Sequence, residues 1–301
     1  PARRQGGGLR VNEQTMDLAT LAAGVRQRLR SVRTAGTLAG QARGRILAVT
    51  SGKGGVGKSN VAVNMALCLA ANRPVLLADL DLGLGGAAPI LGARTAYHLG
   101  DVIDGGCALE RALWRGPRQL RLLPGGAGDL HMATQDNGLL FRLLRQLEAL
   151  TSVGTTVIVD LGAGLGETVQ TVLRWAPEVL VVTTPDPAAV TDAYATVKAV
   201  ARCNPGAMLF FLINQASGAE GTRVARAIVR VAQEHLHTRP IQLGVVPKDA
   251  LLAEAVRHSV PIALYHPQAP AAVAIEQAAQ LWSRHGGEAR PPLSGRRSQG
   301  V

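Results

Sequence analysis

From residue 45 onward the sequence predicts a doubly wound α/β domain, a mostly parallel sheet with helices on both faces. Three observations carry that expectation. Apolar, strand-like runs alternate with amphipathic, helix-like stretches, as repeated βαβ units require. Several of the runs are apolar throughout, among them Val157-Ile158-Val159 and Val179-Leu180-Val181-Val182, which suits strands covered on both faces. The first run, residues 46–49, leads at once into Ser51-Gly52-Lys53-Gly54-Gly55-Val56-Gly57-Lys58-Ser59-Asn60, a glycine-rich segment set between a strand and a helix.

Residues 1–44 read as a basic N-terminal extension. Residues 1–14 lack periodicity. Leu18, Leu21, Ala22, Val25, Leu29 and Val32 then recur at helical spacing and predict an amphipathic helix over about 15–33, followed by a polar linker. Strands are expected at 45–50, 75–79, 119–123, 155–160, 178–184, 208–213 and 242–246. Helices are expected at 58–71, 135–150, 167–175, 187–202, 220–236, 249–257 and 270–284. The α/β domain therefore spans 45–285, and residues 286–301, rich in Gly, Pro, Ser and Arg, read as a flexible basic tail. Ligands of such a fold bind at the carboxyl ends of the strands.

Composition narrows the classes. Hydrophobic residues make up 47% of the chain but aromatics only 3%, so the core must be built from Ala, Val, Leu and Ile. The three cysteines, Cys68, Cys107 and Cys203, are far apart with no paired spacing; they argue for a reducing compartment and against a disulfide framework or an iron–sulfur site. No apolar run approaches the length of a membrane span, so the expected location is cytoplasmic, with the inner face of the membrane as a peripheral site. The formal charge of +11 gathers at the ends, with Arg3, Arg4, Arg10, Arg26, Arg28, Arg30, Arg33, Arg43 and Arg45 against Glu13 and Asp17. Such tails suit nucleic acid, anionic lipid or an acidic partner, or simply keep the chain in solution.

The segment at 52–60 has an immediate chemical reading. Gly52, four residues, then Gly57-Lys58-Ser59 is the phosphate-cradling loop, with Gly52, Gly54, Gly55, Val56, Gly57, Lys58, Ser59 and Asn60 as nucleotide-binding positions. The glycines let backbone N–H groups turn inward, and the following helix N-terminus favours negative charge. Lys58 reaches the β- and γ-phosphates, and Ser59 ligates Mg²⁺. The same stretch also fits the dinucleotide pattern G-x-G-x-x-G, with Asp79 about twenty residues on. The Lys58-Ser59 pair decides against that alternative. Lysine usage agrees: of 32 basic residues only Lys53, Lys58, Lys198 and Lys248 are lysines, and two of these share one loop, where a compact ammonium fits among phosphates.

Three acids end strands that point the same way. Asp79 and Asp81 follow the second strand; one suits a magnesium-bound water and the other the attacking water of in-line phosphoryl transfer. Asp160 ends the 155–160 strand as a second magnesium-facing acid, so Ser59, Asp79 and Asp160 form the expected metal set. Gly164 is placed to sense a γ-phosphate through its N–H. Further along, the amide of Asn214 suits an adenine edge, and Pro247-Lys248-Asp249 is a stiff turn fit to complete the base pocket.

These motifs together (Lys53-Gly54-Gly55-Val56-Gly57-Lys58-Ser59, Asp79-x-Asp81-x-Gly83-Leu84, Asp160-x-x-x-Gly164, Asn214 and 244–249) resemble the deviant-Walker ATPases of the MinD/ParA class over about residues 45–265. The resemblance implies a switch that binds ATP and Mg²⁺ and hydrolyses ATP slowly. Two subunits sandwich two ATP, with Lys53 of one reaching phosphates held by the other and Asp81 aligning water. Lys53, Lys58 and Asp81 are then the catalytic set. Within the class, residues 182–195 most resemble the FlhG/FleN subgroup, which regulates flagellar number and placement. The partners implied are a second copy, a signal-recognition-particle-type GTPase like FlhF or a flagellar basal-body component, and the membrane surface. A ParA-like partition ATPase coating DNA is the alternative, and a membrane-bound positional regulator like MinD a further one. The chain departs from the pattern at Gly86 and Ala88, where relatives place an asparagine and an acid. It departs again at Asp17-Leu18-Ala19, which only loosely resembles the subgroup's activator helix. The apolar face formed by Val273, Ile275, Ala278, Leu281 and Trp282 suits either a core helix or a membrane contact.

Overall fold

The computed structural model describes residues 44–81, 86–126 and 137–285. The expected extension at 1–44, its helix at 15–33 and the tail at 286–301 lie outside those residues, apart from residue 44. The described chain runs β1 (Ile46–Ser51), α1 (Lys58–Leu69), β2 (Val75–Leu80), α2 (Ala87–Leu91), α3 (Leu99–Ile103), α4 (Leu109–Ala112), β3 (Trp114–Arg115), β4 (Leu120–Leu123) and α5 (Asn137–Thr151). It continues through β5 (Thr156–Ala163), α6 (Glu167–Trp175), β6 (Glu178–Thr183), α7 (Pro187–Cys203), β7 (Met208–Ile213), α8 (Gly218–Leu236), β8 (Ile241–Val245), α9 (Ala250–Arg257), α10 (Ile262–Tyr265) and α11 (Pro270–Arg284).

The eight strands form one sheet in the order β3-β4-β2-β5-β1-β6-β7-β8. All pairs are parallel except β3 against β4. β1 lies between β5 and β6, so the chain winds first to one side of it and then to the other. In sheets of this kind ligands bind at that point, beyond the carboxyl ends of the strands. The apolar runs behave as their composition requires: β1, β2 and β7 from Leu209 are buried along their length, because helices cover both faces.

The expected strands and long helices are present within a few residues of the expected bounds. β3 and the short helices α2, α3, α4 and α10 were not anticipated. Each has two to five residues, too few to display a period. β5 runs three residues past its expected end, to Ala163, which matters at the site.

Helix α11 closes the core against α1 and β8. Ile275, Ala278 and Trp282 are fully buried in the same apolar cluster as Leu47, Leu67 and Phe210. This face is core, and the membrane alternative for it is withdrawn. A polar clamp fixes the helix end. The Arg45 guanidinium donates to Glu178 Oε1 (2.8 Å) and to the Trp282 carbonyl (2.9 Å), and lies 3.9 Å from the indole centroid. Trp282 Nε1 donates to Glu178 Oε2 at 2.7 Å. A bidentate arginine that also stacks on an aromatic ring combines two favourable contacts in one side chain.

Candidate nucleotide site

β1 delivers the chain to the glycine-rich loop at the carboxyl edge of the sheet. Ser51 Oγ donates to the Lys53 carbonyl (2.9 Å), turning the chain back on itself. Gly55 and Gly57 take φ of 80° and 86°, the left-handed region where a Cβ is strained. Space also demands glycine. A Cβ on Gly57 would sit 2.3 Å from Asn214 Nδ2, and one on Gly52 would sit 2.2 Å from the main-chain carbonyl carbon of Asp192 in α7. By contrast, a Cβ on Gly54 or Gly55 would meet nothing. The loop is therefore packed on its inner side and open on its outer side. Behind it, α1 starts with no side-chain cap and no acid in its first turn, so its leading N–H groups are left for an anion.

Lys58 is buried at the head of α1, 6% exposed, and its ammonium meets three oxygens. It donates to Asp160 Oδ1 at 2.7 Å, Asp81 Oδ2 at 3.1 Å and Ser59 Oγ at 3.1 Å. Burial works against the charged ammonium, but the two carboxylates outweigh it and raise its pKa, so Lys58 stays protonated. Asp79 and Asp160 are paired in register on neighbouring strands. Burial pushes the Asp79 carboxyl up to about 7, and the Asp160 charge adds to the shift. Asp160 is also raised by burial, with Lys58 pulling the other way.

The second lysine is placed differently. Lys53 stands on the rim, about half exposed, with Nζ 3.2 Å from Asp186 Oδ1. Asp186 also caps α7 by accepting from Ala189 N–H (2.9 Å), and that bond, together with Lys53, lowers its pKa. Asp186 was not singled out in the sequence. Its signal was the Asp-Pro pair at a helix start, which reads as a cap and gives no hint of the lysine.

Other expected site residues sit as follows. Asn214 lies under the loop, donating to the Val56 carbonyl (2.8 Å), with its Oδ1 buried and without a partner. Asn60 Oδ1, Thr50 Oγ1 and Asp160 Oδ2 are likewise buried and unpartnered. Pro247 and Lys248 form the turn after β8. Asp249 is a structural clasp: its carboxylate accepts from Leu251 N–H (2.9 Å) and Ala271 N–H (3.0 Å), joining α9 to α11. Two expectations are corrected in this conformation. The Gly164 N–H is not aimed at a phosphate; because β5 continues to Ala163, it donates to the Ser51 carbonyl at 2.8 Å. Asp79 does not face outward as a metal ligand; both of its oxygens hold backbone amides, at Asp81 (3.1 Å) and Ala87 (2.7 Å).

The remaining set fits magnesium and a triphosphate. Ser59 Oγ and the unpartnered Asp160 Oδ2 are hard oxygen donors beside a loop of free amides and an ammonium. A glycine-rich loop between a parallel strand and a helix, with a buried lysine among strand-end carboxylates, defines a P-loop ATPase. The chain belongs to the CobQ/CobB/MinD/ParA nucleotide-binding domain family, whose model matches residues 47–262. Among its relatives, the antiactivator FleN of Pseudomonas aeruginosa is 35% identical over 240 residues, covering 78% of this chain and 85% of that protein. The flagellum site-determining protein YlxH of Helicobacter pylori is 32% identical over 216 residues, 71% of this chain and 73% of that one. The solved septum site-determining protein MinD of Pyrococcus horikoshii, complexed with Mg-ADP, superposes with a TM-score of 0.68 at 26% identity. That match covers 81% of this chain and 97% of that one. Among the described residues, no helix is long and apolar enough to cross a membrane.

Proposed function

We propose that this chain is a dimerising ATPase switch of the FleN type that regulates flagellar number or placement. The observation that carries the switch is the contrast between the two loop lysines. Lys58 is buried among carboxylates, whereas Lys53 is exposed on the rim and held by one weak surface pair. Lys58 is the lysine of its own site. Lys53 is free to reach the phosphates of a second protomer.

The residues divide the work. Loop amides at 54–59 hold the β- and γ-phosphates. Lys58 exchanges its carboxylates for phosphate oxygens, which releases the Asp81 carboxylate to orient water. Ser59 and Asp160 would hold magnesium, which when bound neutralises charge on the phosphates. Asn214 Oδ1 is an acceptor suited to an adenine amino group, with residues 247–249 flanking the base. The extension at 1–44, the ATPase domain at 45–285 and the tail at 286–301 remain the domain reading, and an FlhF-like GTPase, a basal-body component or the membrane surface the partner classes. The flagellar assignment is supported by the two flagellar relatives.

The test is light scattering on Asp81→Ala with ATP and Mg²⁺. The variant is expected to accumulate as a dimer, and a variant that stays monomeric sinks the switch. Restoring flagellar number in Pseudomonas aeruginosa lacking FleN tests the assignment separately.

One observation favours the alternative, ParA-like DNA coating. Arg223, Arg226 and Arg230 line the outward face of α8 at one-face spacing, exposed and without an ion pair among the described residues. Duplex affinity that rises with ATP and falls steeply with salt supports that reading, and salt-insensitive or absent binding removes it.

A further inference from the structure

Among the described residues, Asp79 and Asp160 are the two buried carboxylates, and they are built into different surroundings. Asp160 keeps Oδ2 without a partner. Asp79 has both oxygens engaged: Oδ1 accepts the N–H of Asp81 and Oδ2 the N–H of Ala87. Those amides stand on either side of residues 82–85, so one carboxylate joins the end of β2 to the start of α2. Sheltered from water, such bonds are stronger than they would be at the surface.

Two glycines make room for the carboxylate. A Cβ on Gly86 would lie 2.2 Å from Asp79 Oδ2, and one on Gly125 would lie 3.1 Å from Asp79 Cγ. The Gly86 backbone is extended, with φ of 173°, a conformation open to any residue. A Cβ there would have to displace the tip of the Asp79 carboxylate, so the bare backbone leaves Oδ2 where it is. Asp81, held by its N–H in this way, presents Oδ2 to Lys58 Nζ at 3.1 Å.

We propose that Asp79 is a positioning residue for Asp81. It grips the amides of Asp81 and Ala87 instead of ligating magnesium, and the missing Cβ at Gly86 leaves its Oδ2 in place. The inference rests on the reading of Asp81 as the residue that orients water.

The experiment uses the full chain and two variants, Gly86→Ala and Asp79→Asn. The first keeps the carboxylate and displaces it; the second keeps one acceptor oxygen of two. Amide hydrogen exchange is expected to quicken about tenfold or more, at Ala87 in Gly86→Ala and at Asp81 or Ala87 in Asp79→Asn. In both variants kcat should fall while the KM for ATP and the half-saturating Mg²⁺ concentration stay within about twofold of wild type. Exchange unchanged at both amides overturns the proposal. So does a Mg²⁺ requirement that rises about tenfold or more in Asp79→Asn, the signature of a lost metal contact. If Gly86→Ala fails to fold, Asp79→Asn decides alone. A wild-type chain that binds but never hydrolyses ATP sinks the role given to Asp81 and leaves exchange at residues 81 and 87 to judge the grip.

Discussion

Two polar clusters, one at each end of the sheet, are built from the same kinds of residue to opposite ends. At the amino edge, Arg45, Glu178 and Trp282 satisfy one another: both Glu178 oxygens accept, and the guanidinium both donates and stacks. At the carboxyl edge, Lys58 is shared between Asp81 and Asp160, while Thr50, Asn60, Asp160 and Asn214 each leave a buried polar atom without a partner. Those are the unsatisfied buried side-chain atoms among the described residues, and all four lie around the loop. Leaving such an atom unpaired costs about 1–3 kcal/mol. A closed network is a clasp, and an open one is a place for a ligand.

That contrast can be broken most severely at Lys58. Lys58→Ala strands two carboxylates and removes the phosphate ammonium. Phosphate-release assays should show a loss of at least about 100-fold in turnover. Denaturant unfolding of the nucleotide-free protein should show a loss of about 3–5 kcal/mol, the usual penalty for orphaning a buried charge. Trp282→Ala tests the other edge. It empties a fully buried site and removes the Glu178 donor, so unfolding should register a loss of about 3–5 kcal/mol. Nucleotide affinity by calorimetry should barely move, because the clamp is remote from the loop. If affinity falls in step with stability, the two edges are one cooperative unit and the comparison fails.

The smallest expected effect is a pH dependence. Folding raises the Asp79 carboxyl from 3.8 to about 7, so the folded state prefers it protonated. The stability linked to that proton is complete below the unfolded value and is lost as pH climbs through about 7. The Tm of the nucleotide-free protein should therefore decline between pH 5 and pH 8. Asp79→Asn should flatten the decline, and an identical slope in the two proteins would assign it to other groups.

Much of this was legible in the sequence. The loop could be read because its glycines and lysines each have one steric or electrostatic use, and because the strand and helix around it carry strong periods. Asp81 and Asp160 were read from their place after apolar strands that face the loop, and both lie within reach of the Lys58 ammonium. Lys53 holding Asp186 could not, since an Asp-Pro pair announces only a helix start. Gly164 was misjudged because nothing in residues 161–163 marks that the strand continues and claims its amide. Gly86 showed itself as a departure from the family pattern, but its meaning needed the position of Asp79, seven residues back in sequence and 2.2 Å from a would-be Cβ.

The close approach of Gly52 to the main chain of Asp192 has a mechanical consequence. With no slack between them, whatever tugs on the phosphate loop also tugs on the helix lying against it, and that helix runs for seventeen residues across the outside of the molecule. A side chain added at position 52 would therefore press on the helix, so a substitution there is felt in both elements.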